Sequence, residues 1–214
     1  MTFSTQQSQP LLSATGLRSV RGERELFSDL SFGLHAGELL QIHGANGSGK
    51  TTLLRIICRL THADAGELYW NGAPVSGRHQ AYVSELHYLG HLNGIKLDLS
   101  PLENLSFSAS LNGTAPRIPL ADALEKVALY GFENEPARTL SAGQRRRIGL
   151  ASLLVSTAKV WILDEPFTAL DVAGIGILEG LLHEHLESGG MVILASHAPV
   201  NLHERHKREL RLLT

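Results

Sequence analysis

The stretch of sequence with the most specific chemistry is the run GANGSGKT at residues 44–51. A glycine followed by four residues and then by Gly-Lys-Thr is the pattern of a phosphate-binding loop, in which glycines let backbone N–H groups turn inward around an anion. The Lys50 ammonium supplies charge for the β- and γ-phosphates, and the Thr51 hydroxyl can bind Mg²⁺. The residues predicted to bind the phosphates are Gly44, Ala45, Asn46, Gly47, Ser48, Gly49, Lys50, Thr51 and Thr52.

A second chemically specific feature is the apolar run VWILDE at residues 160–165, which ends in two carboxylates. Ligands of open α/β sheets bind at the carboxyl ends of the strands, so Asp164 is predicted to hold Mg²⁺ through water. Glu165 can polarise an attacking water and is the predicted general base. An Asp-Glu pair could also simply solvate the end of a strand, but the upstream phosphate loop favours the catalytic interpretation.

Hydrophobic periodicity predicts the elements that hold these residues. The apolar run 38–43 predicts a short strand that leads directly into the phosphate loop, and the spacing of residues 51–60 predicts a helix directly after it. Further strands are predicted at 26–34, 66–70, 85–89, 160–163 and 191–195, and further helices at 101–111, 120–129, 141–155 and 171–186. Strands that are apolar throughout and alternate with helices indicate a parallel sheet covered on both faces. The expected fold class is therefore α/β.

The middle of the chain differs in character from both ends. Residues 92–139 combine two helical patterns with several prolines, and we interpret them as a helical lobe inserted into the α/β core. Residues 1–10 are polar and lack the basic start and apolar stretch of a signal peptide, so we expect a loose tail there. The remaining residues, 11–214, are then expected to form a single domain.

Composition narrows the class of protein. The formal net charge is −2 and the pI is about 6.6, which does not fit a broad nucleic-acid-binding surface. The single cysteine, Cys58, excludes an internal disulfide framework and suits a reducing compartment. No run of about 18 apolar residues predicts a membrane span, so the chain itself is expected to be cytoplasmic. The 11 histidines show no spacing typical of a metal-ligand set.

The run LSAGQ at residues 140–144 resembles the signature sequence of ATP-binding cassette (ABC) proteins, with Ala142 where glycine is commoner. The remaining order also agrees with that family: phosphate loop, helical lobe, signature, VWILDE, the Ala-Leu-Asp run at 169–171, and His197 after a strand. The resemblance covers residues 12–197. It implies a P-loop NTPase of the ABC type, with a mixed sheet core, an inserted helical lobe, and ATP and Mg²⁺ as cofactors.

The same resemblance implies a homodimer in which two subunits share each nucleotide. Ser141 and Gly143 would contact the γ-phosphate bound by the partner subunit. His197 would contact the γ-phosphate in its own subunit and steady the catalytic water and Glu165. Lys50, Glu165 and His197 are thus the expected catalytic residues, and Arg21 joins the phosphate loop, Ser141 and Gly143 among the expected nucleotide-binding residues.

Four features of the sequence allow alternative interpretations. Asp171 would lie at the dimer interface, could instead cap the following helix, or could do both. The three arginines at 145–147 suit a solvated helix face better than a phosphate clamp. His91 occupies the place where cassettes usually carry a glutamine that contacts Mg²⁺ and water, and a protonated imidazole would weaken Mg²⁺ binding there. Arg21 lies where an aromatic residue normally stacks on adenine. It could stack its guanidinium on the base or be an exposed turn residue, which leaves the preference for ATP over GTP open.

Residues 88–107, which read YLGHLNGIKLDLSPLENLSF, are similar to the ATP-binding subunits of cytochrome c maturation systems, usually called haem exporters. This resemblance implies a peripheral protein on the cytoplasmic face of the cell inner membrane, which binds integral membrane subunits through its helical lobe and binds no nucleic acid. Hydrolysis would be coupled to haem handling or to release of a haem-loaded chaperone, and whether haem itself is transported stays open. The alternatives are the ATPase of another ABC transporter, a soluble ABC ATPase of DNA repair or translation, and a nucleotide-gated interaction module with little turnover.

Overall fold

The structure is a computed structural model that describes residues 9–76, 80–91, 94–113, 115–203 and 206–212. Within these ranges the strands form one antiparallel and one parallel sheet. The strands are β1 Leu12–Arg21, β2 Arg24–Leu34, β3 Leu39–His43, β4 Ala65–Trp70, β5 Ala73–Pro74, β6 Leu86–Leu89, β7 Val160–Asp164, β8 Met191–Ala195 and β9 Lys207–Arg211. The helices are α1 Lys50–Ile57, α2 Gln80–Val83, α3 Pro101–Asn112, α4 Leu120–Lys126, α5 Ala142–Val155 and α6 Val172–Glu187, with a 3₁₀ turn at Ala137–Thr139. The predicted α/β class is confirmed.

The parallel sheet carries the chemically specific residues at its carboxyl edge. Its strand order is β6-β7-β8-β3-β9, and every residue of β7 and β8 is buried, as expected for strands covered on both faces. The phosphate loop follows β3, Asp164 ends β7, and His197 lies just beyond β8. Because β7, β8 and β3 are parallel neighbours, these three stretches of sequence lie side by side. The predicted parallel sheet is therefore confirmed.

Two apolar cores cover the faces of the parallel sheet. The first also includes the antiparallel sheet, whose order is β2-β1-β4-β5, and contains α1, with Leu53, Leu54 and Ile56 fully buried. The second contains residues of α3 to α6 together with the alternate residues of the parallel strands, such as Trp161 and Leu163 of β7. The mixed core expected from the sequence thus consists of two sheets with α1 packed against both.

Three helices near the site begin at defined caps. Helix α1 follows Gly49, whose φ of 100° favours glycine. Helix α5 begins with a capping box in which Gln144 N donates to Ser141 Oγ at 3.1 Å and Ser141 N donates to Gln144 Oε1 at 2.9 Å. Helix α6 begins at Asp171, whose Oδ1 accepts from Gly174 N at 2.8 Å. The helix-cap interpretation of Asp171 is confirmed.

The helical insertion consists of α3 and α4, which lie in sequence between β6 and β7 and pack against α5. A second capping box, between Ser100 and Glu103, begins α3. Parts of the predicted organisation fall outside the described residues, namely 1–8 of the tail, 92–93 and 114 of the lobe, and the chain end at 213–214. The boundaries of tail, lobe and domain stay predictions.

Some ends and elements differ from the sequence-based prediction. Helices α1 and α4 end at Ile57 and Lys126 rather than at 60 and 129. In each case a residue in the left-handed conformation follows the C-cap, Arg59 with φ 58° and Ala128 with φ 56°, and a helix cannot continue through it. The sequence analysis assigned no strand to the segments that form β1 and β9.

Candidate active site

The phosphate loop has the backbone that its sequence predicts. Gly47 and Gly49 have φ of 79° and 100°, a region that residues with a side chain rarely adopt. The Lys50 ammonium lies inside the loop and donates to the Gly44 carbonyl at 2.7 Å. Ser48 Oγ is buried and has no hydrogen-bond partner among the residues that the structure describes. A confined cation and an unpaired hydroxyl fit a loop that receives the phosphates of a nucleotide.

Thr51 and Asp164 meet at the start of α1. Thr51 Oγ1 donates to Asp164 Oδ2 at 2.9 Å, and Asp164 is only 2% exposed. A hydroxyl and a carboxylate oxygen are hard ligands of the kind that Mg²⁺ takes beside substrate phosphates, so this pair fits the cation. Burial and the nearby Asp164 carboxylate raise the pKa of Tyr88 to about 12, which keeps this phenol protonated. Tyr88 was not singled out from the sequence.

The three predicted catalytic residues are brought together from two loops and a strand end. His197 Nε2 lies 3.0 Å from Lys50 Nζ, 3.0 Å from Asn46 Oδ1 and 3.7 Å from Glu165 Oε1. A lysine ammonium only donates and an amide oxygen only accepts, so His197 Nε2 accepts from Lys50 in one tautomer and donates to Asn46 Oδ1 in the other. Glu165 has φ 46°, and its N–H donates to the Ala195 carbonyl at 2.9 Å. The carboxylate, the imidazole and the ammonium can therefore act on one phosphate.

Lys50 and Glu165 line a cavity of about 430 Å³. The cavity is lined by Ala45, Asn46, Gly47, Gly49, Lys50, Thr51, Thr52, Asp164, Glu165, Arg21, Arg24 and Leu26. Arg21 is exposed at the β1–β2 turn and still faces the cavity, as the stacking interpretation requires. Arg24 and Leu26 were not predicted, because nothing in the sequence fixes which side of β2 faces the loop.

Six predicted site residues are not among the described residues that line this cavity, namely Gly44, Ser48, His197, Ser141, Gly143 and His91. The first three belong to the phosphate loop or contact it. Ser141 is exposed at the start of α5, and a Cβ on Gly143 would lie 2.9 Å from the Ala169 carbonyl. His91 is exposed, and within the described ranges no group of three or more His, Cys, Asp or Glu side chains could hold a metal ion. The absence of Ser141 and Gly143 from their own subunit's cavity agrees with a contact made across a dimer, whereas the Mg²⁺ contact of His91 stays a prediction.

The arginines at 145–147 do not form a solvated helix face, so that prediction is wrong. Arg146 is 2% exposed and donates to backbone carbonyls beneath Glu165. Arg145 donates to the Leu140 carbonyl, and Arg147 Nη2 pairs with Asp171 Oδ1 at 2.6 Å. Hydrogen bonds lower the pKa of Asp171, the largest contribution coming from Gly174 N and the next from Arg147. Each of the three arginines therefore forms hydrogen bonds or an ion pair within the protein.

The order of these parts along the chain matches a known family. Residues 27–168 match the family described as ABC transporter. The chain belongs to the ABC transporter family. The protein named cytochrome c biogenesis ATP-binding export protein CcmA is 50% identical in Nitrosomonas europaea, over 87% of this chain and 88% of that protein. The proteins of that name in Nitrosococcus oceani and Escherichia coli K12 are both 47% identical, over 96% and 94% of this chain and 94% and 96% of theirs.

Solved structures agree with the fold. An ABC transporter ATP-binding protein from Pyrococcus furiosus superimposes with a TM-score of 0.79 and 27% identity, over 94% of this chain and 96% of that one. An ATP-binding cassette solved as a dimer in a post-hydrolysis state with ADP and Pi gives a TM-score of 0.77 at 21% identity, over 94% of each chain. The resemblance to ABC proteins is confirmed: this ABC ATPase binds and hydrolyses ATP. None of the helices in the described ranges has the length and apolarity needed to cross a membrane.

Proposed function

We propose that this chain is the ATP-hydrolysing subunit of a membrane complex for haem export in cytochrome c maturation. The observation that carries the proposal is the 47–50% identity, over nearly the full length of both chains, to proteins named for export in cytochrome c biogenesis. The cavity supports the ATP-hydrolysing part of the proposal, because the phosphate loop, the Thr51–Asp164 pair and the Glu165 carboxylate all line it.

The catalytic roles follow from the chemistry of each group. Lys50 binds the β- and γ-phosphates and neutralises their charge. Thr51 and Asp164 would hold Mg²⁺, which would neutralise developing charge on the phosphates. Glu165 accepts a proton from water that attacks the γ-phosphorus, so ADP and inorganic phosphate are the products. His197, between Lys50 and Glu165, orients the γ-phosphate and the water.

The working form is proposed to be a homodimer. Ser141 and Gly143 lie at the exposed start of α5, where backbone N–H groups and the positive end of the helix favour an anion. They do not line the cavity of their own subunit, and we infer that the nucleotide they contact is bound by a second subunit. A structural neighbour of similar fold is dimeric with ADP and Pi bound.

The lobe is proposed to bind integral membrane subunits on the cytoplasmic face of the cell inner membrane. Between β6 and α3 lies a groove of about 240 Å³, bordered by Phe107 and Leu111, which are 42% and 72% exposed. Exposed apolar side chains beside a groove are typical of a protein contact. The net charge of −2 argues against nucleic acid as partner.

ATP turnover tests the catalytic half. Lys50→Ala should abolish ATP-dependent activity because the phosphates lose their cation. Glu165→Gln should slow hydrolysis on the order of 10²-fold or more and accumulate an ATP-bound dimer, since it keeps the shape and removes the base. Unchanged turnover in Glu165→Gln would remove Glu165 as the base.

Crosslinking in membranes tests the transport half. The tagged chain, crosslinked in cells and purified from membranes, should bring down integral membrane proteins of the cytochrome c maturation system. Recovery of membrane subunits of a different transporter would favour another ABC exporter. Recovery of DNA or ribosomes would instead favour a repair or translation ATPase.

A further inference from the structure

Arg146 is a buried charged residue that the roles assigned above do not use. It lies in α5 and is 2% exposed. Burial lowers the pKa of its guanidinium to about 10, so the group is still a cation at neutral pH. A cation is buried only where hydrogen bonds in the protein replace those that it made to water. The partners of Arg146 therefore explain why it can be buried.

Among the residues that the structure describes, the guanidinium donates to four backbone carbonyls around the candidate active site. Nε donates to Pro166 O at 3.1 Å, Nη2 to Glu165 O at 3.0 Å and Asp164 O at 3.3 Å, and Nη1 to Gly90 O at 3.0 Å. Three of these carbonyls are consecutive and include the residues proposed as Mg²⁺ ligand and general base. The fourth directly precedes His91. One side chain therefore holds two separate segments of the site in a fixed relation.

Glu165 needs such support because of its backbone. Its φ of 46° lies in the left-handed region, which a residue with a side chain keeps only where its surroundings hold it. Its N–H donates to Ala195 O of β8 at 2.9 Å, and its carbonyl accepts from Arg146 at 3.0 Å. The peptide groups on both sides of the Glu165 Cα are thus fixed, and with them the direction of its carboxylate.

We propose that Arg146 is a positioning residue for ATP hydrolysis, which fixes the backbone of residues 164–166 and the Gly90 carbonyl so that Glu165 faces the γ-phosphate. This inference rests on the proposed role of Glu165 as base. Helix α5, which carries Arg146, begins at Ser141, less than two helical turns away. A shift of Ser141 on contact with the partner's nucleotide therefore reaches the base of its own subunit through one helix.

The test compares ATP turnover in full-length variants. Arg146→Met keeps the length of the side chain and leaves the four carbonyls without their donor. Arg146→Lys keeps the charge, but one ammonium cannot serve carbonyls on both sides as a guanidinium does. Tyr82→Phe is the matched control, because Tyr82 is fully buried and its hydroxyl donates to the Ile57 carbonyl at 2.8 Å, away from the candidate cavity and the groove.

In Arg146→Met we expect kcat to fall on the order of 10²-fold while KM for ATP stays within about threefold, because the base is displaced and the phosphate loop is intact. Arg146→Lys should lose less, and Tyr82→Phe should lower Tm with kcat unchanged. A wild-type kcat in a folded Arg146→Met variant overturns the proposal. If Arg146→Met does not fold, a wild-type kcat in Arg146→Lys overturns it instead. An equal loss of kcat in Tyr82→Phe also overturns it, since the effect would then be one of general stability.

Lys50→Ala separates this inference from the proposed function. If the unchanged chain shows no Lys50-dependent turnover, the proposed catalytic site fails as a whole. If turnover depends on Lys50 but not on Arg146, the site stands and the positioning role is refuted.

Discussion

Two histidines buried in the fold should make this protein unstable in mild acid. His87 in β6 and His185 in α6 are 9% and 5% exposed. Burial lowers the pKa of each imidazole from its ordinary 6.5 to about 4. His87 Nε2 lies 3.0 Å from Ser152 Oγ, and the His185 ring stacks on Trp161 with centroids 3.8 Å apart. In the described part of the chain, neither imidazole has a carboxylate partner that would favour its charged form.

The sign and size of the effect follow from linkage. In the unfolded chain the two imidazoles take up protons near pH 6.5, and in the folded chain only near pH 4. Their contribution to the free energy of unfolding is therefore fully present above pH 6.5 and is lost as the pH falls toward 4. Between about pH 7 and pH 5 each histidine should lower the free energy of unfolding by about 2 kcal/mol, or about 4 kcal/mol for both. Hydrogen bonds from Gly174 N and, to a smaller extent, from Arg147 lower the pKa of Asp171 below its ordinary 3.8. Its contribution to the free energy of unfolding is therefore lost only at a more acid pH.

Urea unfolding followed by circular dichroism at several pH values between 5 and 7 measures this slope. His87→Gln keeps a donor toward Ser152 and does not titrate, so it should remove about half of the pH dependence. His183→Gln, which removes an exposed histidine two residues from His185, is the matched control and should keep the wild-type slope. A free energy of unfolding that changes by less than about 1 kcal/mol between pH 7 and 5, or a full slope in His87→Gln, would refute the reasoning.

The remaining predictions concern the candidate cavity. His91→Gln should retain or raise ATPase activity, because it restores the amide that cassettes usually carry at this position; a clear loss of turnover would contradict this. Arg21→Ala should raise KM for ATP with little change in kcat if the guanidinium contacts the base, and equal KM values would assign Arg21 to the turn alone. Burial, and then the Asp164 charge, raise the pKa of Cys58 to about 12, so iodoacetamide should label it slowly in the native protein and rapidly in urea; fast native labelling would contradict this.

The parallel sheet could be predicted from sequence because its strands obey one simple rule. β7 and β8 are buried on both faces and read as continuous apolar runs. β9, which reads KRELR, obeys no such rule, since it lies at the sheet edge where charged residues are tolerated and even favoured. In β1 register shifts between Ala14 and Val20 break the alternation that would have revealed a strand.

In the candidate site, too, some residues could be predicted from local sequence and others only from the tertiary structure. Residues 44–51 and Asp164 could be predicted because local sequence alone determines a glycine loop and a strand end. Arg146 could not, because three adjacent arginines look like a solvated face until the tertiary structure places one of them beneath the loop that ends β7. A charged residue is buried by its partners, and backbone carbonyls from distant segments leave no trace in composition or periodicity.

In the proposed dimer, a second subunit supplies a group that the cavity lacks. Its own phosphate loop, Asp164 and Glu165 supply the binding, metal and base groups, but the described lining has no helix N-terminus beyond that of α1 to face the outer oxygens of the γ-phosphate. The exposed start of α5 offers such a terminus, already capped by Ser141 and Gln144 and tied through Arg146 to Glu165. A dimer would therefore complete the phosphate site and, by the same helix, report its completion to the base of the other site.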